Sequence, residues 1–164
     1  MFNISEATEK DIPAIIDIAE KTWWPTYSSI ISSEQIGYML NAIYAPQILQ
    51  KEMVDGSRIY LLLIDQGGLQ GFASFGKRPE DPAVYKLHKL YVLPHNQARG
   101  YGRALIDEIK SRLLKENIHI LDVNVNRSNP ARSFYEKSGF KPIREEDILV
   151  GPYWMNDFVF RLEF

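Results

Sequence analysis

With 164 residues, 45% of them hydrophobic and 24% charged, the chain has the composition of one ordinary globular domain spanning 1–164, long enough to bury a proper core. Its 19 basic and 21 acidic side chains leave a net charge near −2, which argues against a dedicated nucleic-acid binder and fits a cationic substrate without implying one. The absence of cysteine excludes disulfides, thiolate metal sites and a cysteine nucleophile, and His88, His95 and His119 show no metal-ligand spacing, so no metal is expected.

The opening MFNISEATEKDIP lacks the basic start and apolar run of a signal peptide, and no apolar stretch approaches the ~20 residues that cross a bilayer. A cytoplasmic protein without a membrane partner is the expectation. FNISEA alternates enough for a first strand. Thr8 with Asp11 then has the Thr-x-x-acid form of a helix start. Ile12, Ile15, Ile16 and Ala19 supply the apolar stripe, and Pro25 is expected to end that helix or to lie just beyond it. A second helical region opens near Ser32-Ser33, breaks at Ala45-Pro46 because proline disfavours helical geometry in the preceding residue, and resumes to about Val54. RIYLLLID reads as a buried strand, QGG as a turn and LQGFASFGK as the antiparallel partner.

AVYKLHKLYVL is a further strand, stopped by Pro94. A glycine-containing segment leads into a helix with Leu105, Ile106, Ile109 and Leu113 on one side. IHILDVNVN is a strand and NPARSFYEKSG a short helix, with Asn129 as cap, Pro130 at its first position and Gly139 at its stop. Two more strands occupy about 140–150 and 155–163. The order β-α-α-β-β-β-α-β-α-β-β implies a mixed sheet covered by helices on both faces.

Gln97–Gly102 thus joins the end of a strand to the start of a helix, where unpaired N–H groups and a partial positive charge make an anion site. Glycine at 100 and 102 would let a phosphate touch those N–H groups, with Arg99 and Arg103 adding charge at the rim. A Walker A loop requires Gly-Lys-Ser/Thr, and here Gly102 is followed by Arg103-Ala104. A dinucleotide fingerprint requires three glycines, and only two are present.

The pattern that fits is Gln97-Ala98-Arg99-Gly100-Tyr101-Gly102 after Leu90-Tyr91-Val92-Leu93-Pro94. It resembles the acetyl-CoA-binding motif of the GCN5-related N-acetyltransferase (GNAT) superfamily. Asn129-x-Ala131-x-x-x-Tyr135-x-x-x-Gly139-Phe140 is similar to the superfamily's other signature and lies at the expected distance downstream. The resemblance implies an α/β (α+β) fold with a mixed, mostly antiparallel sheet of about seven strands flanked by four helices. It also implies an acetyl-CoA-dependent N-acetyltransferase acting by direct attack in a ternary complex.

By the same resemblance, the N–H groups from Arg99 through Ala104 would hold the pyrophosphate, the pantetheine arm would lie along Leu90, Tyr91 and Val92, and the Val92 N–H would face the thioester oxygen. Asn129 would contact the coenzyme while capping its helix. Tyr135, whose ordinary pKa of about 10 keeps its proton at neutral pH, is the candidate general acid; a half-buried tyrosine packing beside Phe134 is the alternative. The family often places a glutamate on the fourth strand, at the position of Lys86 here. His88 lies two residues on and is either a proton relay with a pKa near 6.5 or a sheet histidine with a structural hydrogen bond. Trp23, Trp24 and Tyr27 follow the first helix, where the family builds its acceptor pocket, and could equally be core.

The stretch TWWPTYSSIISSEQIGYMLNAIYAPQILQKEM and the Gly151-x5-Asp157 pattern look like bacterial PaiA-type polyamine acetyltransferases. Asp17, Glu20, Glu34 or Asp157 would meet a cationic acceptor, or each would be a solvated surface charge. A small-molecule amine acceptor is therefore expected, with a protein or peptide amine or a catalytically silent CoA-binding module as alternatives. The final strands are candidates for a homodimer edge.

Overall fold

The computed structural model describes all of residues 1–164. Seven strands form one sheet in the order β1 (Phe2–Glu6), β2 (Ile59–Asp65), β3 (Gly68–Arg78), β4 (Asp81–Val92), β5 (Ile120–Asn126), β7 (Tyr153–Glu163), β6 (Lys141–Val150). Every neighbouring pair is antiparallel except β4 and β5, which the helical crossover between them makes parallel.

Helices cover both faces. On one lie α1 (Ile12–Tyr27), α2 (Ser33–Ile43) and α3 (Pro46–Val54); on the other lie α4 (Tyr101–Lys115) and α5 (Ala131–Lys137). Two apolar cores follow from this layering. One packs Ile15, Ala19, Ile36, Met39 and Leu49 against Leu62 and Phe72. The other packs Leu105, Ile109 and Leu113 against Leu87, Leu121, Val123 and Phe160. Truncating a fully buried leucine such as Leu105 to alanine costs about 2–5 kcal/mol through lost burial and the cavity left behind.

Two expectations are corrected. The helices number five instead of four, because Ala45 takes an extended ψ of 132° and Pro46 opens a separate helix. Pro25 lies inside α1, which runs on to Tyr27. So near the end, proline forfeits a single backbone hydrogen bond, and its fixed φ is already helical.

The feature that shapes the molecule is the parting of β4 from β5. Their pairing runs only from Val84 opposite Ile120 to Leu87 opposite Val123. Beyond Leu87, β4 stays with β3, through Tyr91 opposite Phe72 and Val92 opposite Gly71. A bulge at this point sets Lys89 opposite Ser74 and Leu87 opposite Phe75, leaving His88 as the extra residue. The outer half of β4 therefore presents an unpaired edge to a gap in the sheet.

Candidate active site

The gap is the mouth of a cleft of about 550 Å³. Its walls are His88–Val92 of β4, Val123–Val125 of β5, the end of α1, the start of α4 and the first turn of α5. The Leu93 N–H donates to the Gln70 carbonyl at 2.8 Å, so strand alternation turns the Val92 N–H toward the gap. Gln97 Nε2 donates to the Val92 carbonyl at 3.3 Å, tying the turn that follows β4 to the strand's end.

At the start of α4, Gly100 has φ +79°, a left-handed conformation that only glycine adopts without strain. The first backbone N–H of the helix to find a backbone acceptor is that of Ala104, at 3.0 Å from the Gly100 carbonyl. The N–H groups of Gly100, Tyr101, Gly102 and Arg103 remain free, a cradle suited to a diphosphate. The expected range is thereby narrowed, since the Ala104 N–H is already engaged. Gly102 also proves to be glycine for a different reason: a Cβ there would come within 3.2 Å of the Phe134 ring of α5.

The other residues of the glycine motif divide by side chain. Tyr101 is buried, and its hydroxyl donates to Asp65 Oδ2 at 2.7 Å, fastening α4 to the β2–β3 turn. Ala104 packs into the core, while Ala98, Arg99 and Arg103 are exposed. None of these five side chains lines the cleft. His95 is exposed, with a ring nitrogen 3.2 Å from Asn96 Nδ2.

Tyr135 and Asn129 both line the cleft, as do Leu90 and Tyr91. Asn129 Oδ1 accepts the Ala131 N–H at 2.9 Å, the expected cap, although α5 begins one residue later than expected. Burial, and secondarily Tyr27, push the Tyr135 pKa well up, so the phenol is protonated throughout the physiological range. Tyr27, the last residue of α1, also lines the cleft, its hydroxyl 3.3 Å from that of Tyr91. Its aromatic neighbours do not join it. Trp23 is core, with Nε1 donating to the Tyr44 hydroxyl at 3.2 Å, and Trp24 points outward, 41% exposed. Successive helical positions diverge by about 100°, so the pair cannot share one wall.

His88 lines the cleft, but its expected pKa near 6.5 is corrected. Burial first, then the surrounding positive charges of Arg58, Lys86, Lys89 and Arg78, push it down to about 2. The imidazole is therefore neutral at physiological pH. Beside it, Lys89 Nζ donates to the Tyr60 hydroxyl at 2.9 Å and sits 5.3 Å from the centres of the Tyr44 and Tyr60 rings. Burial pulls its pKa to about 8 despite the Glu52 carboxylate 3.8 Å away. Lys89 thus anchors the outer half of β4 to β2 and α3.

Of the four acidic candidates, Asp17 pairs with Lys21 on the surface, Glu20 and Glu34 are exposed, and Asp157 alone is buried, at 6% exposure. Asn124, which lines the cleft, donates from Nδ2 to Asp157 Oδ2 at 3.3 Å and to Glu146 Oε1 at 3.4 Å. Its Oδ1 is buried without a partner. Burial raises the Asp157 pKa, while Asn124 and Lys86 oppose the rise. The sequence signal that would have found Asn124 is the alternation of Asp122, Asn124 and Asn126 with Leu121, Val123 and Val125, which marks a polar strand face.

Comparison with known proteins adds four findings. Residues 28–151 match the family model described as an acetyltransferase (GNAT) domain. The chain is 25% identical over 152 residues to an uncharacterised N-acetyltransferase of Bacillus subtilis, covering 92% of this chain and 86% of that one. It is 26% identical over 142 residues to a spermidine N(1)-acetyltransferase of Thermoplasma acidophilum, covering 85% of this chain and 88% of the relative. A crystal structure of PaiA N-acetyltransferase from the same organism, in complex with coenzyme A, superposes with a TM-score of 0.86 at 25% identity, over 100% of this chain and 99% of that one.

Proposed function

The chain belongs to the GNAT acetyltransferase family, and on that premise we propose that its acceptor is a primary amine on a small flexible cation, a polyamine first. It is an acetyl-CoA-dependent N-acetyltransferase, with acetyl-CoA as a substrate of the reaction. When bound, acetyl-CoA supplies an activated acetyl group as a thioester. The free N–H groups of Gly100–Arg103 are suited to the diphosphate, and the open edge of β4 to the pantetheine arm. The Val92 N–H is placed to stabilise charge growing on the carbonyl oxygen. Tyr135, kept protonated by its burial, is the acid that gives its proton to the departing sulfur.

The observation that carries the acceptor class is the pair of carboxylates, Asp157 and Glu146, behind Asn124 on the cleft wall. A second ammonium of a polyamine would be drawn toward that negative charge, while Tyr27 and Tyr91 offer aromatic faces to its methylene chain. The similarity to a spermidine acetyltransferase supports the same acceptor. The cleft is walled from several sides by helix and strand, which favours a slender amine over a folded protein's amino terminus.

A thiol-release assay with acetyl-CoA across spermidine, aminoglycosides, amino acids and short peptides tests this reading. Release with spermidine and not with peptides is expected. Preferential release with peptides would overturn the acceptor class, and coenzyme binding without acceptor-dependent thiol would mark the chain as a catalytically silent CoA-binding module.

A further inference from the structure

Three tyrosines line one cleft, and the transfer as described employs the acidity of only one. Tyr27 comes from the α1 layer and Tyr135 from the α5 layer, on opposite faces of the sheet. Both nevertheless line the one cleft that opens where β4 and β5 have parted, which is where the thioester would lie. Tyr91, on the free edge of β4, bonds hydroxyl to hydroxyl with Tyr27 at 3.3 Å. No carboxylate lines the cleft wall to take the acceptor's proton, since Asp157 lies behind Asn124.

We propose that Tyr27 is a second phenol of the reaction, carrying the proton shed by the acceptor nitrogen to Tyr135 and so to the departing sulfur. The proposal depends on Tyr135 being the acid. The amine arrives neutral, and its lone pair forms the new N–C bond to the thioester carbonyl carbon. The C–S bond breaks with its electron pair remaining on sulfur. Sulfur takes the Tyr135 hydroxyl proton, and Tyr135 takes the hydroxyl proton of Tyr27, directly or across one water. Tyr27 recovers the proton that the nitrogen gives up. One amine and one thioester become one amide and one thiol, with no charge left on the protein.

The surroundings suit that role. Burial raises the pKa of all three phenols, and Tyr27 raises those of Tyr135 and Tyr91 further. A free-standing phenolate is thus disfavoured at every position, and the transfers occur together rather than through a stored charge. The Tyr91 hydroxyl and the Asn129 side chain act the other way on Tyr27, lowering its pKa against burial, and with Tyr91 donating across the 3.3 Å hydroxyl contact the Tyr27 oxygen would be steadied while its proton moves.

The test compares Tyr27→Phe, Tyr135→Phe and the double variant of the full chain, with spermidine or whichever amine the thiol assay selects. Tyr27→Phe is expected to lower kcat by about 10²-fold, the low end for general acid–base catalysis, with acetyl-CoA affinity by calorimetry within about twofold of wild type. The double variant should be no slower than Tyr135→Phe, because the two phenols act in series. In mixtures of light and heavy water the wild-type rate should bow, as three protons move together, and the Tyr27→Phe rate should vary linearly.

Wild-type kcat in Tyr27→Phe alongside a slow Tyr135→Phe would overturn the relay alone. Full rate in Tyr135→Phe would remove the acid and the relay with it. Losses that multiply in the double variant would also overturn the relay. If Tyr27→Phe does not fold, Tyr91→Phe removes the steadying donor instead. It should lower kcat several-fold with unchanged coenzyme affinity, and an unchanged kcat would count against the relay.

Discussion

Gly100 and Gly102 stand two residues apart and are glycine for unrelated reasons: one needs a φ of +79°, the other needs room for the Phe134 ring. The motif resemblance singled out both positions and Tyr135, and all three line the cleft, because motif residues are separated by fixed numbers of positions on known elements. What spacing cannot convey is environment. His88 carries the same ring in any sequence, yet four neighbouring cations and its burial in the sheet remove its proton affinity. The consequence for stability has a definite sign. The folded pKa is about 2 against an ordinary 6.5, so the unfolded chain binds the proton first. The stability His88 contributes is present above about pH 6.5 and is lost progressively as pH falls from there toward 2. Urea unfolding of wild type and His88→Gln at pH 7 and pH 5 checks this. The wild type should lose more stability between the two, and an equal loss in both would contradict the assignment.

At the scale of elements, the helices and most strands follow from periodicity, caps and proline positions, and the α4 stripe of Leu105, Ile106, Ile109 and Leu113 is buried as expected. The parting of β4 from β5 was not legible. AVYKLHKLYVL alternates through the bulge with no local mark of where its partner leaves, because pairing is decided by residues distant in sequence. Trp23 and Trp24 misled for a related reason, since adjacent helical side chains point in different directions and only the neighbouring layer decides which is core. The close approach of α4 to α5 at Gly102 gives a prediction that belongs to this scale. Gly102→Leu should displace Phe134 and spread the two helix starts, weakening acetyl-CoA binding by tenfold or more while costing about 1–3 kcal/mol of stability through overpacking. Calorimetry and denaturant unfolding of the same variant separate the two effects, and unaltered coenzyme affinity would show that the helices' spacing is not what shapes the cradle.

For the molecule as a whole, one sheet carries two helical layers whose cores are separate, and the gap between β4 and β5 is where residues from both layers face each other. The start of α4 and the first turn of α5 line the cleft from one layer and Tyr27 from the other, so in the proposed reading coenzyme and amine would meet in the gap. No helix is long and apolar enough to cross a membrane. Amide hydrogen exchange with and without coenzyme A probes whether acetyl-CoA lies along the free edge of β4 with its diphosphate on the start of α4. The amides of Gly100, Tyr101, Gly102 and Arg103, which have no backbone acceptor, and that of Val92 should slow markedly when coenzyme A is added. Unchanged exchange at those five amides under saturating coenzyme A would contradict it.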